Sequence, residues 1–307
     1  MTIGFLGLGK MGKLMVIHLL QSGVSVVGWN RSGDVTDSFV KEFEPLKLSG
    51  QFVPAKSHGD IFKNLKTPRI LFLMVPEGKP VDEVLESLLL SGLSTGDIII
   101  DGGNSFYKDS LRRASHLKEK GISYIDCGTS GGLSGAQNGA CLMLGGEKSV
   151  VDSLSELWDV MAVKDGWAYL GKSGAGHFVK MVHNGVEYGI DQALGEGVEL
   201  LSKSPFSLYL PAVVKLWNHG SVVRGWLVEL LAGELDADPT LHIYNGKVGG
   251  GTTGEWTIAE AKSLGVSTPV IEASLEARKK SKTHPTMASK TVSSLRHAYG
   301  GHKEPTL

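Results

Sequence analysis

The first half of the chain alternates short, continuous apolar runs with stretches of helical periodicity. Thr2–Leu6, Val24–Trp29, Ile70–Val75 (stopped by Pro76), Asp97–Asp101 and Ile122–Asp126 are largely apolar at consecutive positions. Strands covered on both faces have that pattern. Between them, Lys13–Gln21, Val81–Leu90 and Ser110–Lys120 repeat apolar residues at helical spacing. From Val35 to Lys66 the signal is weaker and reads as a helix and a short irregular strand. Leu142–Gly145 and Ala168–Gly171 are expected to add the last strands. Strands alternating with helices predict an α/β, doubly wound parallel sheet. Past about residue 177 the pattern changes. A helix from 177 to 203 is followed by helical segments at 209–217, 222–235, 254–264 and 268–280, with no further strand. The expected organisation is a sheet domain over 1–176 and an all-α domain over 177–307.

The first turn carries chemistry. Gly7-Leu8-Gly9-Lys10-Met11-Gly12 stands between the first strand and the first helix. In that context GxGxxG marks a Rossmann dinucleotide site. One glycine makes the tight turn, the second lets a pyrophosphate approach the backbone, and the third lets the helix pack on the strand. The helix N-terminus offers unsatisfied N–H groups to the anion. The second strand ends in Asn30-Arg31-Ser32, where an NAD-preferring site usually carries Asp or Glu. Arg31 can pair with a 2′-phosphate and Ser32 can donate to it, which predicts NADP over NAD. The alternative is that Arg31 is simply exposed and the site accepts both.

A helix beginning after the turn Gly171–Gly176 places Lys180, Asn184, Glu187 and Asp191 at i, i+4, i+7 and i+11, on one face, flanked by His183 and Tyr188. Phe178, Met181, Val182 and Val186 lie on the other side. A polar stripe of this kind is commonly a solvated face. Against that, Gly185 and Gly189 interrupt it, each costing about 1 kcal/mol relative to alanine. Such glycines suit a helix approached closely by a ligand or another backbone. Two further glycine loops, Gly102-Gly103-Asn104-Ser105 and Gly128-Thr129-Ser130-Gly131-Gly132, follow strands, where doubly wound sheets bind ligands. Asn104 and Ser130 are thus placed to hydrogen-bond a ligand, or the loops are ordinary turns.

Charge is balanced in the 307 residues, 31 basic against 32 acidic, which points away from bulk nucleic-acid or membrane binding. Cys127 and Cys141 are too few for a disulfide framework or thiolate metal site, and a reducing cytoplasm suits them. No secretory leader is expected in the glycine-rich start, and no apolar run reaches the roughly 18–20 residues of a membrane span. No metal-ligand cluster is apparent. Residues 270–307 hold seven Lys/Arg (Arg278, Lys279, Lys280, Lys282, Lys290, Arg296, Lys303) against Glu272, Glu276 and Glu304. This stretch could bind a phosphate or carboxylate, and a solvated tail is the expected reading.

Nearly end to end, these motifs resemble decarboxylating 6-phosphogluconate dehydrogenase in its short form, within the β-hydroxyacid dehydrogenase superfamily. Gly174–Gly189 carries the most specific part of the likeness. The resemblance implies oxidative decarboxylation of 6-phospho-D-gluconate to D-ribulose 5-phosphate and CO2 with NADP+ reduced, NAD being second choice. It implies Lys180 as general base and acid, Glu187 as second acid, and His183 and Asn184 as substrate contacts. Asn104, Ser130, Gly131 and Gly132 would hold the sugar acid. Tyr188, Thr253, Arg278 and Arg296 would approach the phosphate, with His302 helping. Gly7–Gly12, Asn30, Arg31, Ser32, Val75 and Asn104 would line the cofactor. Arg296 and His302, in RHAYGGH, match a tail that in this family enters a neighbouring subunit's site, which implies at least a homodimer. Gly251 departs from the family's lysine at that place and cannot supply its phosphate contact. The chemistry requires Lys180 to lose a proton near neutrality, helped by desolvation and the cationic nicotinamide, and Glu187 to hold one. Two turns, about 10 Å, separate them along the helix. Two other readings are a dehydrogenase of a short acid such as 3-hydroxyisobutyrate and a non-catalytic NADP-binding protein.

Overall fold

The structure is a computed structural model and describes residues 1–43, 46, 48 and 50–303. Glu304, counted above in the basic C-terminal stretch, lies outside the described residues. The chain divides into two compact units after Lys180.

In the first unit the order is β1 (Thr2–Leu6), α1 (Lys10–Gln21), β2 (Ser25–Trp29), α2 (Gly33–Phe43), β3 (Phe52–Pro54), α3 (His58–Asn64), β4 (Ile70–Leu73), α4 (Lys79–Ser91), β5 (Ile98–Asp101), α5 (Tyr107–Lys118), β6 (Ser123–Ser130), α6 (Gly132–Asn138), β7 (Ala140–Gly145), α7 (Lys148–Ser153), α8 (Ser155–Met161) and β8 (Ala162–Gly171). The strands form one sheet in the order β3-β2-β1-β4-β5-β6-β7-β8. The winding reverses between β1 and β4, so Gly7 leaves β1 at the topological switch point.

The expected parallel sheet is present with one exception: β6 and β7 pair antiparallel, Cys127 opposite Leu144. The connection over 131–139 is shorter than the dozen or so residues that a parallel crossover needs, so the chain turns back on itself. The region 35–66, expected as a helix and a short irregular strand, holds helices on both sides of the short β3. Each central strand feeds two cores. Ile3, Phe5, Phe72 and Ile100 join Val16, Leu19 and Trp158 on one face. Leu6, Leu71, Leu73 and Ile99 join Ile61, Leu88 and Leu117 on the other. Burying each such side chain contributes about 1.5–3 kcal/mol.

α9 (Ala175–Ser202) begins in the first unit and continues into the second, which is otherwise α10 (Leu210–Trp217), α11 (Trp226–Ala237), α12 (Thr252–Ser263), α13 (Pro269–Ser281) and α14 (Met287–Gly300). Leu194, Val198, Val214, Leu231, Leu235, Leu241 and Leu295 form its core. The C-terminal stretch is therefore not a solvated tail. Thr286 and Ser289 close a reciprocal capping box on α14, and that helix is buried at Ala288, Ser289 and from Thr291 to Arg296, with Lys290 half-buried. Its serines and threonines mask it in the sequence: Ser289, Thr291, Ser293 and Ser294 are all buried.

Candidate functional site

The glycine turn is built by contact with the strand next door. Gly7 has φ +107, and a Cβ there would stand 2.2 Å from the Met74 carbonyl oxygen. A Cβ on Gly12 would meet the Gly7 oxygen at 1.9 Å, so α1 packs on the turn without space for a methyl group. Gly9 differs: nothing lies within 4 Å of its Cβ position. It caps α1 with no side-chain hydrogen bond. The exposed helix N-terminus at Gly9 is the cradle a pyrophosphate requires. Asn30 props the turn open, its Oδ1 accepting from Leu8 N–H at 3.0 Å. Lys10 is exposed and Met11 half-buried on the first turn of α1.

Asn30, Arg31, Ser32 and Val75 line one cavity of about 230 Å³, with Trp29 and His58. No carboxylate follows β2 in the Asn30-Arg31-Ser32 segment. The sequence reading missed His58. Its ring lies 4.2 Å from the Trp29 ring, its Nδ1 is 2.6 Å from Ser87 Oγ, and burial lowers its proton affinity.

The loop after β5 hangs on a buried carboxylate, Asp101. Its oxygens accept from Gly103 N–H at 3.2 Å, Ser105 Oγ at 2.8 Å and Tyr124 OH at 2.8 Å, with Arg113 Nη1 at 3.4 Å. Burial first, then the Asp101 charge, holds the Tyr124 phenol well above its usual range. Arg113 also donates to Asp82 at 2.8 Å and to the Gly78 carbonyl at 2.9 Å. Asn104 is exposed between two buried anchors, Gly103 and Ser105. Ser130 ends β6, Gly131 caps α6, and Gly132 is its first residue.

The start of α9 is held by Asp126 of β6. Its carboxylate accepts from Gly174 N–H at 2.6 Å and His177 N–H at 2.9 Å, a cap supplied from a distant strand. A Cβ on Gly176 would stand 2.3 Å from the Met143 oxygen and 2.4 Å from the Asp126 oxygen, and one on Gly128 would stand 2.6 Å from Lys180 Cβ. The helix therefore enters against β6 and β7, and Lys180 comes off beside Gly128, two residues before Ser130.

Farther along α9 the polar stripe turns inward. Asn184 is 8% and Asp191 0% exposed, while Val182 and Val186, on the apolar side, are 38% and 51% exposed. Met181 is buried. Gly185 and Gly189 are approached by side chains of neighbouring helices, Thr257 at 2.8 Å and Val270 at 3.2 Å from their Cβ positions, and not by a backbone. His183 Nδ1 is 3.3 Å from Asn184 Oδ1 and 3.9 Å from Glu187 Oε2.

Four of the expected phosphate residues meet in this second unit. Tyr188 OH and Thr253 Oγ1 are 3.0 Å apart, and the Arg278 guanidinium lies 3.7 Å above the Tyr188 ring. Arg278 and Arg296 are 4% and 8% exposed. A Cβ on Gly250 would be 3.3 Å from Arg296 Nη2, so Arg296 of α14 sits in its own chain beside the loop that opens α12. Burial lowers the proton affinity of Arg278, and Arg296 adds to the effect. His302 does not join them: it is exposed past α14, its ring 6.3 Å from and edge-on to that of Tyr299. Gly251 caps α12 with φ +131, a conformation that a lysine side chain would strain. Among the described residues, no group of three or more His, Cys, Asp or Glu is placed to hold a metal ion.

Residues 2–171 match the family described as the NAD binding domain of 6-phosphogluconate dehydrogenase, and residues 176–304 match the 6-phosphogluconate dehydrogenase C-terminal domain. The chain is 41% identical over 302 residues, 98% of each protein, to YqeC of Bacillus subtilis (strain 168), provisionally named a 6-phosphogluconate dehydrogenase. It is 38% identical over 305 residues, 99% of this chain and 98% of the relative, to the NAD(+)-dependent, decarboxylating 6-phosphogluconate dehydrogenase of Haloferax volcanii. Another relative, from Bacillus subtilis (strain 168), carries an NADP(+)-dependent name. A Plasmodium falciparum 6-phosphogluconate dehydrogenase structure matches with TM-score 0.82 and 31% identity, covering 92% of this chain and 62% of that one. A Mycobacterium tuberculosis 3-hydroxyisobutyrate dehydrogenase shares the fold at 19% identity, with TM-score 0.71, over 96% of this chain and 99% of that one.

Proposed function

The chain belongs to the 6-phosphogluconate dehydrogenase family, and from that premise we propose that it oxidatively decarboxylates 6-phospho-D-gluconate to D-ribulose 5-phosphate and CO2 while reducing NADP+. Binding of a nicotinamide dinucleotide and oxidoreductase chemistry follow from the family. The substrate rests on one observation above the rest: two buried arginines, Arg278 and Arg296, beside the Tyr188–Thr253 hydroxyl pair. A terminal phosphate dianion matches that charge and those donors, whereas a short unphosphorylated hydroxy acid makes no use of them. The test is the initial rate of cofactor reduction with 6-phosphogluconate, gluconate and 3-hydroxyisobutyrate, each with NADP+ and NAD+. Faster turnover of either unphosphorylated acid would overturn the substrate assignment, and cofactor binding without turnover of any acid would favour a non-catalytic role.

The dinucleotide fits the open cradle at Gly9 and supplies the hydride acceptor when bound. The chain's own residues do the proton work. Lys180, uncharged, takes the proton of the C3 hydroxyl as that carbon is oxidised. As an ammonium it then stabilises the oxygen on which charge develops while the carboxylate leaves as CO2. Glu187, carrying a proton, delivers it to C1 of the resulting enediol. His183 and Asn184 hold the reacting end of the substrate, with Asn104, Ser130, Gly131 and Gly132. Tyr188, Thr253, Arg278 and Arg296 hold the phosphate, and His302, exposed past α14, assists at the site of a second copy of the chain.

The cofactor preference is proposed as NADP on Arg31 and Ser32, which are exposed at the cavity rim where a carboxylate would repel a 2′-phosphate. A homo-oligomer, at least a dimer with the helical region as its interface, is proposed on the exposed apolar stripe of α9: Val179, Val182, Val186 and Ile190. A cytoplasmic location is proposed on the family's metabolic role. Among the described residues, no helix is long and apolar enough to cross a membrane.

A further inference from the structure

The buried carboxylate Asp191 is used by no step above. It lies one turn beyond Glu187 on α9 and is fully buried. Its Oδ2 accepts from Tyr299 OH of α14 at 3.0 Å. Among the described residues its Oδ1 has no hydrogen-bond partner, and neither does Nη1 of Arg278. The charged and titratable groups acting on it are Glu187 of its own helix, Arg278 of α13, and Tyr299 and Arg296 of α14. A buried carboxylate with an unused oxygen thus lies within electrostatic reach of the two guanidiniums assigned above to the phosphate.

We propose that Asp191 is a proton-linked positioning residue for this anion pocket: ionised, it balances Arg278 and Arg296 while no anion is bound, and it takes up a proton when a dianion enters. The inference rests on the phosphate reading of the pocket. Two negative groups facing the same two cations in low dielectric repel each other, so the pocket keeps one full negative partner at a time. The oxygen that Tyr299 bonds stays fixed in either state, while the other oxygen is the one able to carry the proton. Burial first, and then Glu187, push the Asp191 carboxyl up to about 7, with Tyr299 and the two arginines pulling it back. The exchange therefore falls in the neutral range. It would make the pocket more selective for dianions at lower pH, where Asp191 has already yielded.

Inorganic sulfate is the probe, because it stays a dianion throughout the neutral range while phosphate itself titrates there. Sulfate binding to the full-length protein is followed by calorimetry between pH 6 and 8 in buffers of different ionisation enthalpy. The wild type should take up a proton on binding, and its affinity should fall about five- to tenfold as pH rises across that range. Asp191→Asn should remove most of that proton uptake and flatten the affinity. Tyr299→Phe deletes the bond that holds the carboxylate ionised and should move the wild-type slope to higher pH, which provides a second reading if the asparagine variant folds poorly. An Asp191→Asn profile parallel to the wild type, or an unmoved slope in Tyr299→Phe, overturns the inference. Turnover of 6-phosphogluconate by the wild type is measured alongside. If turnover is present while the proton effect is absent, the inference alone fails. If turnover is absent while sulfate binding is proton-linked as described, the substrate reading fails and the pocket's coupling stands.

Discussion

The two anion sites proposed above, one in each unit, are built by opposite means. At Gly7–Gly12 the site is backbone: an uncapped helix end, a turn made by Gly7, and open space above Gly9, with Arg31 in solvent at the rim. In the helical unit the site is side chain: Arg278 and Arg296 buried, a tyrosine–threonine hydroxyl pair, and Asp191 beneath. A backbone site costs little in the absence of ligand, because N–H groups at a helix end stay hydrated. A site of buried charge needs compensation even when empty, since an unpaired buried ion is expensive. The difference fits the burial of Asp191 and Tyr299 at the second site, while Lys10 of the first turn is exposed.

Five substitutions and one pH comparison would break or sharpen this contrast. Lys180→Met should reduce turnover about a thousandfold while both ligands still bind, because Lys180 belongs to neither anion site. Retained activity would remove it from the mechanism. In the backbone site, Gly12→Ala should lose stability and cofactor binding together, since its methyl meets the Gly7 oxygen at 1.9 Å; overpacking of this kind costs about 1–3 kcal/mol or more. Gly9→Ala should leave the melting temperature unchanged and weaken only the cofactor, because nothing occupies that space. If both variants behave alike, the cradle is not at Gly9. In the side-chain site, Arg278→Ala should raise KM for 6-phosphogluconate roughly thirty- to a hundredfold with KM for the cofactor unmoved. Arg31→Asp should have a smaller effect, shifting preference from NADP+ toward NAD+ by roughly tenfold, and an unchanged ratio would mean that Arg31 serves solvation only.

The pH comparison concerns stability. The folded state raises Asp191 from 3.8 to about 7. Below the unfolded value both states hold the proton. As pH climbs from there to 7, the unfolded chain releases it first, so the fold loses stability, by about 1.4 kcal/mol for each unit of elevation at the limit. Asp191→Asn should therefore melt above the wild type at neutral pH and level with it near pH 4. A constant offset at all pH values would assign the effect to packing.

Legibility followed the same contrast. The backbone site was readable because its parts are neighbours in sequence: a strand, the spacing Gly7–Gly9–Gly12, a helix. The expected strands were mostly found within a few residues, and their order followed from continuous apolar runs. Its supports were less visible. Asp101 ends β5 and Asp126 lies inside β6, places where a charge must be paired, yet Tyr124 for the one and Gly174 and His177 for the other lie farther along the chain. The side-chain site draws on Tyr188, Thr253, Arg278 and Arg296, in four helices, and only the family resemblance linked them. Asp191 stood in the polar stripe without a role, because its meaning depends on Tyr299, far away in sequence. α14 was read as a solvated tail because its buried face is serine and threonine, which periodicity of apolar residues does not detect.

The entry of α9 against β6 and β7 bears on how the chain becomes competent. Gly176 can seat itself only where the Asp126 and Met143 carbonyls already lie side by side, and the Asp126 cap reaches back to Gly174 and His177 from a strand far upstream. A nascent or refolding chain must therefore assemble the late strands before Lys180 can take up its place beside Gly128. The amine proposed above as the base thus reaches its place only once β6 and β7 are paired, and a half-made protein would lack it.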